Sequence, residues 1–163
     1  MIEVLITSQI VGRAWLYERR MRQGRRVLVP AYLVLVSCTK TGATLEFQVT
    51  RTASGLIFGE SIDRYGKNGE CPPSLPGQPY YALVSNTNKG TFCLRLYEPS
   101  LEEHNKLLGQ GDSIRSDILI HGGPAMSEGC LIVSGGQKGY RPVVAWFKKY
   151  ASEQTKITVT VLP

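Results

Sequence analysis

A chain of 163 residues, with 42% apolar and 20% charged residues, has the length of one ordinary domain and the composition of a globular protein, which excludes a disordered tail. The longest apolar run, Val27 to Cys38, is interrupted by Pro30 and is too short to cross a bilayer, so no membrane span is expected. The net charge of +6 favours polyanionic surroundings, whether nucleic acid, anionic lipid or an anionic cell wall, without selecting among them.

Seventeen glycines and nine prolines lie between short runs rich in Val, Ile, Leu, Thr and Tyr, the usage of a strand-dominated fold. The expected architecture is a mainly β single domain over 1–163, sandwich- or barrel-like, with two short helices. Met1 to Ile10 carry Glu3 and Gln9 and no basic start before a long apolar stretch, which predicts no secretory signal and a soluble product made in the cytoplasm. Cys38, Cys71, Cys93 and Cys130 are widely spaced without a CxxC pair, so free thiols are expected in place of a zinc knuckle or redox dithiol.

In chain order, strands are predicted over Ile2 to Ser8, Gly12 to Tyr17 and Val27 to Ser37. A half-buried strand follows, in which Leu45, Phe47 and Val49 alternate with Glu46 and Gln48. Arg19, Arg20, Arg22, Arg25 and Arg26 flank Gly24 between two of these segments. The simplest reading is a hairpin end pointing charge into water, with a polyanion-binding patch as the alternative.

Gly59 to Gly77 reads as a long surface loop, either a plain linker or one edge of a cleft. Pro79 to Ser85 and Thr91 to Tyr97 read as a hairpin around Asn86, Asn88 and Gly90. Ser100 and Glu103 make a capping-box pattern that predicts a short helix over 100–108, ended by Gly109 and carrying a surface His104. Val143, Val144, Phe147 and Tyr150 predict a second helix with Pro142 in its first turn, and Lys156 to Leu162 a closing strand.

The stretch SDILIHGGPAMSEGCLIVSGG, residues 116–136, carries the chemistry. Ile118, Leu119 and Ile120 form an apolar strand ending at His121, and a second apolar strand begins at Cys130. A compact loop of the eight intervening residues would bring imidazole and thiol to one rim of the sheet, where an adjacent base helps to make the attacking thiolate. Gly129 removes the side chain that would crowd an incoming carbonyl, and the N–H groups around Gly129 and Cys130 are candidates to stabilise an oxyanion. On residue types alone, the other reading is a buried structural cysteine beside a turn histidine.

The pattern His121-Gly122 followed by Ser127-x-Gly129-Cys130 resembles the His-Gly and Ser-His-Gly-Cys signature of the L,D-transpeptidase (YkuD-like) catalytic domain. The match is specific over about 115–134, with loose agreement in the arrangement of segments from about 44 onward. Residues 1–43 have no assigned role. The short gap from His121 to Cys130, and the Arg-x-x-Ile-Leu-Ile-His lead-in from Arg115, are similar to compact relatives among phage proteins and secreted antibacterial effectors.

The resemblance implies Cys130 as the acylated nucleophile, His121 as its general base, and Ser127 and Gly129 as residues that shape the loop. It also implies acyl transfer on peptidoglycan stem peptides in the cell wall or periplasm, as an L,D-carboxypeptidase or a transpeptidase. No metal or organic cofactor is implied, and the partner would be an immunity protein or a phage or secretion component.

Gly123 stands where the family usually has threonine, Glu128 where it has histidine, and Ile132 where it has arginine. Arg115 is therefore a candidate to hold a substrate carboxylate, and Glu128 a substrate ammonium, with solvated charge as the alternative for each. Two further readings are a non-catalytic phage or secretion module that keeps the fold, and a nucleic-acid-binding β protein that uses the arginines at 19–26.

Overall fold

The computed structural model describes residues 1–18, 24–58, 69–123 and 129–163. Its strands are β1 (Ile2–Tyr17), β2 (Arg26–Cys38), β3 (Thr44–Thr50), β4 (Tyr80–Asn86), β5 (Phe92–Tyr97), β6 (Lys106–Leu107), β7 (Arg115–Ser116), β8 (Leu119–His121), β9 (Leu131–Val133) and β10 (Ile157–Val161). The helices are α1 (Ser54–Phe58) and α2 (Gly136–Tyr150).

Eight strands close a barrel in the order β1, β10, β4, β5, β8, β9, β3 and β2, and β6 pairs with β7 beside it. The mainly β, barrel-like expectation holds, and the N-terminal residues without an assigned role supply two of the barrel's strands. Closure leaves few bare strand edges, and alternation sends every second side chain inward. Val4, Val34, Val49, Leu94, Ile120, Leu131 and Val159 meet in the core, where Val143 and Phe147 of α2 close one flank.

Strand β1 runs unbroken where two strands were expected, because a register shift between Ile6 and Gly12 lets it bend without ending. It pairs with β10 only over Ile2 to Ile6, and β2 pairs with β3 only from Ala31 to Ser37. Beyond those points the hairpin continues as a two-stranded arm, Gly12 to Tyr17 against Arg26 to Ala31. Pro30 lies on the arm, past the last rung to β3, so its missing N–H costs that ladder nothing.

The helix expected over 100–108 does not form. Lys106 and Leu107 pair with Ser116 and Arg115, while Glu98 takes the N–H groups of Leu108 and Gly109 on its carboxylate. Glu103, read as half of a capping box, lies 3.5 Å from Lys106.

The second helix begins at Gly136, well before Pro142, so that proline lies inside it and not in its first turn. Of the loop expected over 59–77, residues 59–68 lie outside the described residues, while Cys71 and Ser74 are buried and Ser74 pairs with Val161 of β10. The 79–97 hairpin and the closing strand form as expected, and His104 is exposed with its ring stacked on Tyr97. Among the described residues no helix is long and apolar enough to cross a membrane.

Candidate functional site

Strands β8 and β9 run parallel, with Ile120 opposite Leu131 and His121 opposite Ile132. Ile120 and Leu131 enter the core, so His121 and Ile132 face outward, and Cys130, one residue before Leu131, shares that outer face. Because the strands are parallel, His121 stands at the exit of β8 and Cys130 beside its entrance. The two share a face but not the rim expected from the loop. They are diagonal neighbours about 8 Å apart at the backbone, and the printed contacts of the sulfur lie toward Asp117 and Leu119, the end of β8 away from His121.

Each side chain is held by backbone. The Cys130 sulfur takes the Leu119 N–H at 3.4 Å and donates to the Asp117 carbonyl at 3.6 Å. Asp117 makes both contacts available, since its left-handed backbone, with φ 55°, turns the chain between β7 and β8. Arg95 pairs with its carboxylate, and the Asn105 carbonyl takes its N–H at 2.9 Å.

His121 Nδ1 lies 2.7 Å from the Gly122 carbonyl. A carbonyl oxygen only accepts, so Nδ1 carries the hydrogen and Nε2 is left as the proton acceptor. Gly122 is fixed in turn by α2, because a Cβ there would come 2.4 Å from the Tyr140 ring, whose hydroxyl donates to the Phe92 carbonyl.

Arg115 is no solvated charge. It is 7% exposed and donates to the carbonyls of Glu70 at 3.3 Å and Gly69 at 3.2 Å. The same guanidinium lies against Gly129, where a Cβ would stand 2.5 Å from Nη2. Gly129, at φ +138°, adopts a conformation that side-chain-bearing residues rarely take, and Gly123 at φ +109° does so in open space. Ser127 and Glu128 lie outside the described residues.

Electrostatics keep both partners neutral at rest. Burial pushes the Cys130 thiol up to about 11, although the Leu119 N–H and the Arg115 charge favour the thiolate. Burial also lowers the His121 imidazole below its usual value, against the pull of the Gly122 carbonyl. Cys130 packs with Val27 and Phe58 onto a small outer cluster of Leu16, Val29 and Ile132, so the arm and α1 cover its side of the barrel. Ile132, at the position where the resembled family has arginine, is an apolar packing residue with 1% exposure.

Three residues at the site carried no assigned role in the sequence: Asp117, which presents the backbone to the sulfur, Phe58, which packs on the same outer cluster as Cys130, and Cys93, which sits directly opposite His121 on β5. Cys93 shares the outer face with His121, on the side of β5 alternate to Leu94 and Leu96. All four cysteines are free thiols. Cys71 and Cys93 are raised by burial, while hydrogen bonds from Thr41 lower Cys38. Among the described residues no group of three or more His, Cys, Asp or Glu is placed to hold a metal.

Comparison with protein-family models, with curated proteins and with solved structures returns no match.

Proposed function

We propose that this protein is a cysteine-dependent acyl transferase acting on peptidoglycan stem peptides, as an L,D-carboxypeptidase or transpeptidase. The reading is carried by one arrangement: thiol and imidazole share the outer face of β8 and β9 one diagonal step apart, with Nδ1 occupied by the Gly122 carbonyl. The substrate class rests on the resemblance of residues 115–134 to the L,D-transpeptidase domain.

In the proposed reaction the Cys130 sulfur attacks an amide carbonyl beside a D-amino acid, and His121 Nε2 takes the thiol proton as the C–S bond forms. The tetrahedral intermediate collapses, the C–N bond breaks and the proton passes to the leaving amine. Water or a second amine then resolves the thioester. With a thiol raised to about 11, proton removal must accompany attack, so His121 acts as a general base and not as half of a standing ion pair. The Arg115 guanidinium beside Gly129 supplies positive charge next to the nucleophile, suited to a substrate carboxylate or a developing oxyanion.

A second reading, a non-catalytic module that keeps the fold, is favoured by the engagement of the sulfur with the backbone of Asp117 and Leu119. Incubation with purified muropeptides, followed by mass spectrometry, separates the two. Loss or exchange of a terminal D-alanine by the wild type, abolished in Cys130→Ala and in His121→Ala, is the expected result. Unchanged muropeptides under all conditions would favour the binding module.

A further inference from the structure

We infer that the outer face of the β1–β2 arm binds single-stranded nucleic acid, a function separate from the thiol site. The arm register sets Arg13 opposite Pro30, Trp15 opposite Leu28 and Tyr17 opposite Arg26. Leu16, Val27 and Val29, on the alternate positions, pack inward with the outer cluster around Ile132, so these six side chains form the solvent face. Trp15 is 41% exposed, and the Arg26 guanidinium lies over its ring, 4.0 Å from the centroid.

Charge is concentrated in the same segment. In the sequence, residues 12–31 hold six arginines and one glutamate, a net of five of the chain's six excess positive charges; of these arginines Arg19, Arg20 and Arg22 lie outside the described residues. That glutamate, Glu18, is 2% exposed and bound to Arg25 at 2.8 Å, so the acid is withdrawn from the outer face. Basic residues without aromatics between them are weak signs of nucleic-acid binding. Here the strand alternation interleaves them, placing Arg13, Trp15 and Tyr17 in a row about 6.6 Å apart.

Arginine forks meet phosphates and aromatic faces accept bases whatever the sequence, the combination that single-strand binders use. A stacked guanidinium is also held in plane, so less freedom is lost when its N–H edge meets an anion. A lipid surface fits less well, because burying Trp15 in the acyl boundary would take the arginine on its ring with it.

The test uses the full chain and a fluorescein-labelled oligothymidylate, with affinity followed by anisotropy from about 0.05 to 0.2 M salt. The inference predicts that Arg13→Gln with Arg26→Gln makes the slope of log K against log salt shallower by about 1.4. Trp15→Ala should weaken binding about tenfold or more. Lys148→Gln with Lys149→Gln, on the exposed face of α2, should leave both unchanged. All these positions are solvent-facing, and far-ultraviolet circular dichroism checks that each variant keeps the fold. Equal affinity for inorganic polyphosphate, tighter binding to duplex than to single strand, insensitivity to Trp15→Ala, or uptake only by anionic vesicles would each overturn it. Because the arm variants leave Cys130 and His121 intact, muropeptide turnover reads the other activity separately.

Discussion

Arg115 and Gly129 occupy one another's space: a Cβ on residue 129 would stand 2.5 Å from the Arg115 guanidinium and 3.0 Å from the Gly69 carbonyl that binds it. The glycine before Cys130 therefore seats a buried cation beside the candidate nucleophile, and the space expected for a substrate is filled by that cation. Gly129→Ala should lower stability by about 1–3 kcal/mol through backbone strain and displacement of that guanidinium. Gly123→Ala, equally left-handed but open, should cost less. Thermal denaturation of the two variants gives the comparison.

Removing the cation changes the thiol. Arg115 is among the groups that favour the Cys130 thiolate, so Arg115→Met should move the pH profile of Cys130 alkylation upward. Arg115→Lys should keep part of the charge while losing the two-carbonyl fork, and fall between. Peptide mapping of iodoacetamide adducts across pH measures both.

Phe58 of α1 and Val27 of the arm pack on the same outer cluster of Leu16, Val29 and Ile132 as Cys130. Phe58→Ala should speed alkylation of Cys130 at fixed pH while costing about 1–3 kcal/mol of stability, since the ring is only partly buried. An unchanged alkylation rate would mean that these side chains do not limit access to the sulfur.

Stability should fall at both ends of the pH range, for opposite reasons. Cys130 and Cys71 have folded-state thiols raised to about 11 and about 12, so between the ordinary value of 9.0 and those values the folded chain holds protons that the unfolded chain has released. Their stabilisation is complete below about 9 and is lost as pH rises through 11 and 12. His121 is lowered from 6.5, so the unfolded chain binds its proton first and stability drops as pH falls below 6.5. His121→Gln should flatten the acid limb, and Cys71→Ala the alkaline one, in urea titrations across pH.

Much of the barrel is legible in the sequence because period-two alternation marks half-buried strands directly, as in Leu45, Phe47 and Val49. The capping-box pattern at Ser100 and Glu103 misled, because a local signal lost to the pairing of Lys106–Leu107 with Arg115–Ser116 and to the reach of Glu98. At the site, His121 and Cys130 stood out as polar residues bounding apolar strands. The parallel pairing that puts them at opposite ends of β8 was hidden, since register between strands depends on contacts across the whole barrel. The burial of Arg115 was equally hidden, because its carbonyl partners at residues 69 and 70 lie 46 and 45 residues away.

Simple alkylation does not rank the four thiols by function, since Cys38 is the one whose pKa is lowered while Cys130 is raised. An acylating probe that imitates the proposed chemistry does. Incubated with a carbapenem near neutral pH and mapped by peptide mass spectrometry, the wild-type protein should carry an acyl adduct on Cys130 alone, and His121→Ala should carry none. A Cys130 that stays unmodified, or adducts spread equally over Cys38, Cys71, Cys93 and Cys130, would contradict a nucleophile served by His121.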